Sequence, residues 1–110
     1  MEFTELFEKA KIAFGKADIS GITGKLAYQF DITDENGGTF FVEIKNGCLR
    51  IEPHAYNDRD VKFTLSSASF EKMLARKLNS AVAYATGKLK IEGELGKALE
   101  LKKLLGSLDD

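Results

Sequence analysis

The sequence predicts a two-layer α+β domain, in which helices cover one face of a five-stranded, largely antiparallel sheet. Three observations predict this fold class. Five short segments alternate apolar with polar residues, as strands with one buried face do. Four other segments repeat apolar residues at helical spacing. The pair Asn46-Gly47 separates two alternating segments and favours a tight hairpin between antiparallel strands.

The first helix and the first two strands follow from periodicity. A helix is predicted over residues 3–17, because its phenylalanines fall on one stripe. A strand follows at 25–33, and residues 34–38 form a turn, since adjacent glycines permit positive φ. The second strand occupies 39–45. The stripe of the helix must therefore pack on the apolar face that these strands share.

The next two strands are separated by a loop. The Asn46-Gly47 hairpin leads into a third strand at 48–52, so that the first three strands make an antiparallel meander. Pro53 cannot donate a ladder hydrogen bond and begins the loop. A fourth strand is predicted at 61–66.

The rest of the chain combines three helices with one more strand. A helix that Ser66 and Ser67 can cap is predicted through Leu78. Asn79-Ser80 breaks this helix and caps a short one at 81–86. The fifth strand is predicted at 88–92. The last helix begins near Leu95 and is rich in leucine.

The five strands share one apolar face, and their other face is mostly polar. The helices must therefore lie on the apolar face. Phe41 is the exception, because it falls on the polar face beside Glu43 and Lys45. We interpret it as a single exposed aromatic residue; a partner surface is the alternative.

Length, charge and cysteine content limit the kinds of function that the protein can have. A chain of 110 residues fits one domain, 1–110. Its 16 basic and 17 acidic residues leave no net positive field, which disfavours nucleic-acid binding. Cys48 is the single cysteine, so an internal disulfide is excluded and a reducing compartment fits. No apolar secretion segment or membrane-spanning run is present, and we expect a cytoplasmic protein.

Few residues suit catalysis. One cysteine and one histidine cannot form a structural zinc site, and no cofactor motif occurs, so we expect neither metal nor cofactor. His54 has Asp58 and Asp60 near it in sequence, which would suit a small hydrolase. A solvated loop histidine is the preferred interpretation. Residues 93–96 could present amides to an anion, but Glu94 favours helix capping instead.

The last helix is apolar around much of its circumference, more widely than the stripe of about 100° that a helix on a sheet needs. Three interpretations remain open: packing against both the sheet and the first helix, facing a lipid-filled cavity, or meeting a second subunit. Tyr84, on the short helix before it, either puts a hydroxyl at the edge of an apolar pocket or packs in the core.

Three blocks of sequence resemble the sterol carrier protein type 2 family in order and spacing. YQFDITD, followed by GGTFFVEIKNG, resembles the first hairpins of that family. VKFTLSSASFEKMLARKLN resembles its strand and following helix, which precede a Leu-Asn turn. GKLKIEGELGKALELKKLL resembles its most specific stretch, a strand followed by a leucine-rich helix. The resemblance extends from about Tyr28 to Leu105.

The resemblance implies an apolar tunnel between sheet and helices. It also implies a non-catalytic protein that binds or transfers a fatty acid, a fatty acyl thioester, a phospholipid or a sterol-like ligand. Inward strand residues and apolar residues of the later helices are the expected lining, and the last helix is expected to loosen to admit ligand. The lining candidates are Phe40, Val42, Phe63, Leu65, Phe70, Met73, Leu74, Tyr84, Ile91, Leu101 and Leu105.

The alternative is a structural or accessory interaction module, in which side chains fill the cavity. Its apolar helices would then form a homodimer interface or dock a lipid-modifying enzyme. The sequence leaves monomer and homodimer open. Lysines near the last helix would attract anionic head groups only weakly, because glutamates interleave with them.

Overall fold

The computed structural model describes residues 3–17, 19–22, 24–34, 37–75 and 77–106, except for the side chains of residues 80, 102, 105 and 106. The elements follow the predicted order, and the second and third strands have the predicted bounds. In chain order they are α1 (Phe3–Lys16), β1 (Lys25–Ile32), β2 (Thr39–Lys45), β3 (Cys48–Glu52), β4 (Val61–Leu65), α2 (Ser67–Leu74), α3 (Ser80–Ala85), β5 (Leu89–Gly93) and α4 (Leu95–Gly106).

The five strands form one mixed sheet in the order β3-β2-β1-β4-β5. The predicted meander is confirmed, because β1 pairs antiparallel with β2 and β2 pairs antiparallel with β3. The β4–β5 pair is also antiparallel. The central pair, β1 with β4, is parallel. The sheet is therefore largely antiparallel, as predicted, with a parallel contact at its centre.

The strand register aligns apolar residues in rows across the inner face, which the helices cover. Phe30 lies between Phe40 on β2 and Phe63 on β4, and Phe63 lies opposite Ile91 on β5. The buried core combines this face with residues of all the helices. Its members are Leu6, Ala10, Phe14, Leu26, Tyr28, Phe30, Ile32, Phe40, Val42, Ile44, Val61, Phe63, Leu65, Phe70, Ala83, Leu89, Leu101 and Leu104.

Helix α2 is shorter than predicted. Ser66 caps its start as expected, since its hydroxyl accepts from the Ser69 amide at 3.1 Å. The helix ends at Leu74, although apolar spacing continues to Leu78. Asn79 has an extended backbone and its side chain caps α3, as the sequence predicted. Leu78 still packs against the core, but from the connection between the two helices.

The turn after β1 is joined to the start of α2 by a carboxylate. Asp34 accepts hydrogen bonds from the backbone amide of Ser67 at 2.7 Å and from its hydroxyl at 2.6 Å. These bonds lower the pKa of the Asp34 carboxyl. The turn and the helix that covers the sheet are thus fixed relative to each other.

The prediction that Phe41 is an exposed aromatic residue is wrong, because its side chain is fully buried on the outer face of the sheet. The loop after β3 folds back over it. The ring centroids of His54 and Tyr56 lie 5.0 Å and 4.6 Å from that of Phe41. The backbone amide of Tyr56 donates to the Gln29 side-chain oxygen at 3.0 Å, which holds the loop on the sheet.

Candidate functional site

The inner face of the sheet carries a packed aromatic cluster. The Phe30 ring stacks on Phe40 at 5.0 Å and on Phe63 at 5.1 Å between centroids. Phe70 of α2 meets Phe30 at 5.2 Å and Phe40 at 5.5 Å. Phe7 of α1 closes the other side of Phe40 at 5.7 Å. Two helices and three strands therefore share one continuous apolar region.

The structure brings most of the predicted lining residues to this region. Phe40, Val42, Phe63, Leu65, Phe70 and Leu101 are buried members of the core. Met73, Leu74 and Ile91 are partly buried and pack against it. The backbone of Leu105 lies in α4, and its side chain is outside the described part of the structure. The fully buried residues form the inside of the region, and the partly buried ones form its border.

Tyr84 does not pack in the core. Its side chain on α3 is 55% exposed, whereas its neighbour Ala83 is buried. The core-packing interpretation of Tyr84 is therefore wrong. The interpretation that places its hydroxyl at the edge of a pocket stays a prediction.

Helix α4 covers the β4–β5 side of the inner face, and a carboxylate anchors its first turn. Asp60 Oδ1 lies 2.9 Å from the Lys97 amine, and Asp60 Oδ2 accepts from the Ala27 amide at 2.8 Å. The backbone oxygen of Asp60 accepts from the Glu94 amide at 3.2 Å. The hydrogen bond to Asp60 raises the pKa of the Lys97 amine. Asp60 thus joins β1, the start of β4 and the start of α4.

A buried phenol provides a second anchor for the same turn. The Tyr28 hydroxyl donates to the backbone oxygen of Lys97 at 2.6 Å, and the Tyr28 side chain is fully buried. Burial raises the pKa of this phenol above its ordinary value, with Glu100 and Asp60 contributing. The hydroxyl therefore remains protonated and can donate at any physiological pH.

The connection between β5 and α4 requires glycine. Gly93 has a φ of +117°, and a Cβ on it would lie 2.2 Å from the backbone oxygen of Asp60. The chain needs this close approach because Glu94, the single residue between β5 and α4, bonds to the same oxygen. The predicted anion-binding alternative for residues 93–96 stays untested. Their observed contacts are within the fold.

Apolar residues of α4 point in two directions. Leu101 and Leu104 are buried against the sheet, and Ala98 is partly buried. Leu95 and Leu99 are 60% and 62% exposed. The sequence indicated an unusually apolar helix, and the structure shows that only part of this surface packs inward.

Sequence reasoning missed Tyr28 and Asp60 as anchors. Tyr28 fits the apolar alternation of β1, so nothing in the pattern marks its hydroxyl. Its partner Lys97 is 69 positions away. Asp60 directly precedes β4, where an acidic residue is ordinary for a loop end. A long-range contact of this kind leaves no local signal.

The hydrolase interpretation gains no support from His54. Its Nδ1 lies 3.0 Å from the backbone oxygen of Ala55, and its Nε2 lies 3.4 Å from Glu52. The two aspartates have other partners: Asp58 pairs with Lys25, and Asp60 binds Lys97. The two aspartates that the hydrolase alternative would pair with His54 thus have other partners.

Two kinds of feature are absent from the described part of the chain. No group of three or more His, Cys, Asp or Glu residues there is placed to hold a metal ion. No helix there has the length and apolar character needed to cross a bilayer.

Comparison with known proteins identifies relatives over most of the chain. The model of the SCP-2 sterol transfer family matches residues 3–106. Hydroxysteroid dehydrogenase-like protein 2 of Xenopus laevis is 39% identical over 85 residues, which is 74% of this chain and 20% of that protein. The chain thus spans about a fifth of the length of these relatives.

Solved structures share the fold at lower identity. The palmitated sterol carrier protein 2-like 2 of Aedes aegypti has a TM-score of 0.67 at 19% identity, covering 96% of this chain and 95% of that one. The stereoselective inverting sec-alkylsulfatase of Pseudomonas sp. has a TM-score of 0.70 at 21% identity, covering 84% of this chain and 14% of that one. Because the family model spans nearly the whole described chain, this chain belongs to the SCP-2 sterol transfer family.

Proposed function

We propose that this chain is a lipid-binding and transfer domain that holds a long apolar chain between α4 and the inner face of the sheet. The observation that carries the proposal is the asymmetry of α4. The polar anchors provided by Tyr28 and Asp60 hold its first turn. Leu101 and Leu104, in the following turns, contribute apolar packing. A ligand chain can replace such packing without leaving polar groups unpaired.

The proposed lining consists of the predicted residues that lie in this region. The side chains of Phe40, Val42 and Phe70 have no exposed surface, so they are enclosed by protein atoms. In this proposal ligand enters at the β4–β5 side, where the later turns of α4 move away from the sheet. Met73, partly buried beside this region, has a flexible side chain that adapts to ligands of different shape.

The energetics favour a ligand with a long hydrocarbon portion. Each methylene transferred from water into an apolar site contributes about 0.8 kcal/mol. An acyl chain can therefore be held with few polar contacts. We propose a fatty acid, a fatty acyl thioester, a phospholipid or a sterol-like molecule. The palmitated state of the Aedes aegypti protein supports the acyl-chain members of this class.

We further propose that the chain is a single domain without catalysis of its own, located in the cytoplasm. The exposed, single Cys48 fits a reducing compartment. Asp58 and Asp60, the aspartates near His54 in sequence, pair with Lys25 and Lys97.

Native mass spectrometry of freshly purified protein, followed by solvent extraction, tests the proposal. We expect a bound lipid, or stoichiometric uptake of a fluorescent fatty acid by the emptied protein. Leu101→Trp adds bulk beneath α4 and is expected to lower uptake at least about tenfold. Leu99→Trp adds the same bulk on the exposed side of the helix and serves as the control. Equal uptake of fatty acid by the two folded variants would contradict the proposed location of the ligand beneath α4.

A second candidate function is an accessory domain that serves a lipid-modifying enzyme. The observation that favours it is the length of the relatives, which are named hydroxysteroid dehydrogenase-like proteins and are about five times longer than the matched region. In that case the apolar region remains filled by side chains. A protein that contains no lipid and takes up no fatty acid, but associates through its apolar helices, would favour this candidate.

A further inference from the structure

The loop between β3 and β4 connects the outer face of the sheet to helix α4. This outer loop consists of residues 53–60, and it carries Tyr56 over the buried ring of Phe41, with 4.6 Å between the ring centroids. Its last residue, Asp60, contacts α4 through Lys97 and Glu94. One short segment therefore reaches from the outer face of the sheet to the helix that covers the inner face.

A buried carboxylate holds the middle of the outer loop. Glu43 of β2 is only 6% exposed, and the Tyr56 hydroxyl donates a hydrogen bond to its Oε2 atom. The Arg50 guanidinium lies 3.7 Å from the other carboxylate oxygen. Burial of a carboxylate costs free energy unless hydrogen bonds or an opposite charge compensate for it. Glu43 therefore favours the conformation in which Tyr56, and the loop with it, lies on the sheet.

Lys25, the first residue of β1, holds the outer loop at a second point. Its amine lies 2.5 Å from both the backbone oxygen and the Oδ2 atom of Asp58. The same amine lies 5.3 Å from the centroid of the Tyr56 ring. The loop is thus held at Tyr56 and at Asp58, and Arg59 is the single residue between Asp58 and Asp60. A displacement of the held part would reach Asp60 over a very short length of chain.

Asp60 has little freedom to move without disturbing α4. Its amide donates to the Ala27 oxygen at 2.8 Å, while its own backbone oxygen accepts from the Glu94 amide at 3.2 Å. That oxygen also lies against Gly93, where an added Cβ would be only 2.2 Å away. A small shift of Asp60 would therefore crowd Gly93 or lengthen the bond to Glu94, because close-packed atoms leave no spare space. The first turn of α4 is sensitive to the position of the outer loop for this reason.

We propose that Tyr56 and Glu43 are positioning residues for α4: they hold the outer loop on the sheet, and the loop holds the first turn of the helix through Asp60. The inference rests on the proposed function, because a firmly held α4 opens less often and exchanges ligand more slowly. Glu43 faces away from the proposed lining, since its neighbours Val42 and Ile44 face the core. A change at this pair would therefore alter ligand exchange without altering the surface that contacts the ligand.

Hydrogen exchange of the full chain without ligand tests the positioning directly. Tyr56→Phe keeps the ring and removes the hydroxyl that bonds to Glu43. The Glu94 amide reports on the bond to Asp60, and we expect it to exchange about threefold to tenfold faster in this variant. The amide of Phe70, a buried residue of α2, is expected to change less.

Further variants separate this hydrogen bond from the general loss of a polar group. Glu43→Gln keeps an acceptor for the Tyr56 hydroxyl, so it is expected to retain much of the protection at the Glu94 amide that Glu43→Ala loses. Thr64→Val replaces a hydroxyl on the outer face of β4, where the neighbouring residues face the core, and serves as the control. We expect Glu94 to exchange in this variant as it does in the unmodified protein.

Release of a fluorescent fatty acid tests the consequence for the proposed function. The loaded protein is mixed with an excess of unlabelled fatty acid, and the loss of fluorescence gives the release rate. We expect Tyr56→Phe and Glu43→Ala to release the probe about threefold to tenfold faster than the unmodified protein. Thr64→Val is expected to release it at the unmodified rate.

Three results would overturn the inference. Unchanged exchange at Glu94 in Tyr56→Phe would show that the bonds to Ala27 hold Asp60 without help from the loop. Equal acceleration at the Glu94 amide and in α2 would indicate a general loss of stability. Equal effects of Thr64→Val and Tyr56→Phe would show that any polar change on this face suffices.

Failure of the proposed function would give a different result. A protein that takes up no fatty acid, yet shows selective acceleration at Glu94 in Tyr56→Phe, would support the positioning and contradict the lipid-binding proposal. Normal uptake, with both the release rate and the exchange at Glu94 unaffected by Tyr56→Phe and Glu43→Ala, would overturn the positioning alone.

Discussion

At the scale of single residues, Gly93 shows how one backbone position determines where a helix lies. Its φ of +117° is a conformation that residues with a side chain rarely adopt. Its contact with the Asp60 backbone leaves no room for a methyl group. The glycine therefore allows α4 to start directly beside β4, where Tyr28 and Asp60 can hold it.

Gly93→Ala is therefore expected to lower the free energy of unfolding by about 2–4 kcal/mol, because both strain and a backbone clash follow from the methyl group. Urea unfolding monitored by circular dichroism measures the change. Gly96→Ala is the control, since nothing lies within 4 Å of a Cβ there. It sits within α4, so we expect a gain of up to about 1 kcal/mol. A Gly93→Ala protein as stable as the Gly96→Ala protein would show that the close approach is unimportant.

Asp34 gives a second prediction at this scale, concerning pH. Its carboxylate accepts two hydrogen bonds from Ser67, so its pKa is lower in the folded than in the unfolded protein. The unfolded state then binds more protons in acid, and stability falls as the pH drops below the ordinary value of 3.8 towards the lower folded value. Asp34→Asn removes this contribution.

Unfolding curves measured at a series of acidic pH values test the assignment. We expect the stability of Asp34→Asn to depend less steeply on pH than that of the unmodified protein in this range. Glu8→Gln, an exposed change on α1, is the control. Asp58 and Glu52 also have lowered pKa values, through Lys25 and Arg50, so part of the dependence should remain. An unchanged slope in Asp34→Asn would refute the assignment.

At the scale of elements, α4 is the part of the fold on which the proposed function depends. Its first turn is tied to β1 and β4 by Tyr28 and Asp60. Its later turns pack through leucines. This arrangement predicts a gradient of local stability along a single helix, with the turn held by Tyr28 and Asp60 opening less readily than the turns packed through leucines.

Hydrogen exchange of the backbone amides of α4 measures this gradient. We expect faster exchange near Leu104 than near Ala98, and slower exchange at Leu104 when a fatty acid is bound. Tyr28→Phe removes the buried hydroxyl and is expected to speed exchange in the first turn, with a loss of about 1 kcal/mol in stability. Tyr84→Phe, at an exposed tyrosine, is the control. Uniform exchange along α4, with or without ligand, would contradict the proposed opening.

Elements with local signals were predicted well, and those that depend on distant contacts were not. The bounds of β2 and β3 follow from alternation and from the Asn46-Gly47 turn, whose positive φ values the structure confirms. The cap of α3 at Asn79 was predicted, but the end of α2 was misplaced because apolar spacing continues to Leu78, four residues beyond the end of the helix. The burial of Phe41 depends on Tyr56, a residue of a loop without regular periodicity. The inward-facing strand residues were predicted because alternation is a local signal. Tyr28 and Asp60 were missed as anchors of α4 because their contacts with Lys97 are long-range.

At the scale of the whole molecule, the parallel pairing of β1 with β4 joins the meander to the rest of the sheet. No hairpin signal predicts this contact, because β1 and β4 are separated by two strands and a loop. This contact divides the sheet into two parts. The strands β1, β2 and β3 are joined by local turns, whereas β4 and β5 come from the later half of the chain. The core nevertheless runs across both parts through Phe30 and Phe63.

We therefore expect this chain, expressed by itself, to unfold as one cooperative unit despite matching only a fifth of its longer relatives. Thermal unfolding followed by far-ultraviolet and near-ultraviolet circular dichroism should give coincident transitions. Because the tyrosines are spread over β1, the outer loop and α3, the near-ultraviolet signal reports on distant regions. Separate transitions would show that the two parts of the sheet fold independently and would argue against a single domain.

The single residue between β5 and α4 has a mechanical consequence. Helix α4 has 12 residues and is about 18 Å long, and Glu94 is the single residue that joins it to β5. If α4 opens as proposed, it would rotate about this connection, which lies at the edge of the sheet. A tilt of about 10° would raise the far end by about 3 Å while the anchored turn moved by only a fraction of that. The gap would widen along the helix, so a longer hydrocarbon chain would require a larger tilt, and chain length would become the property by which this domain selects its ligands.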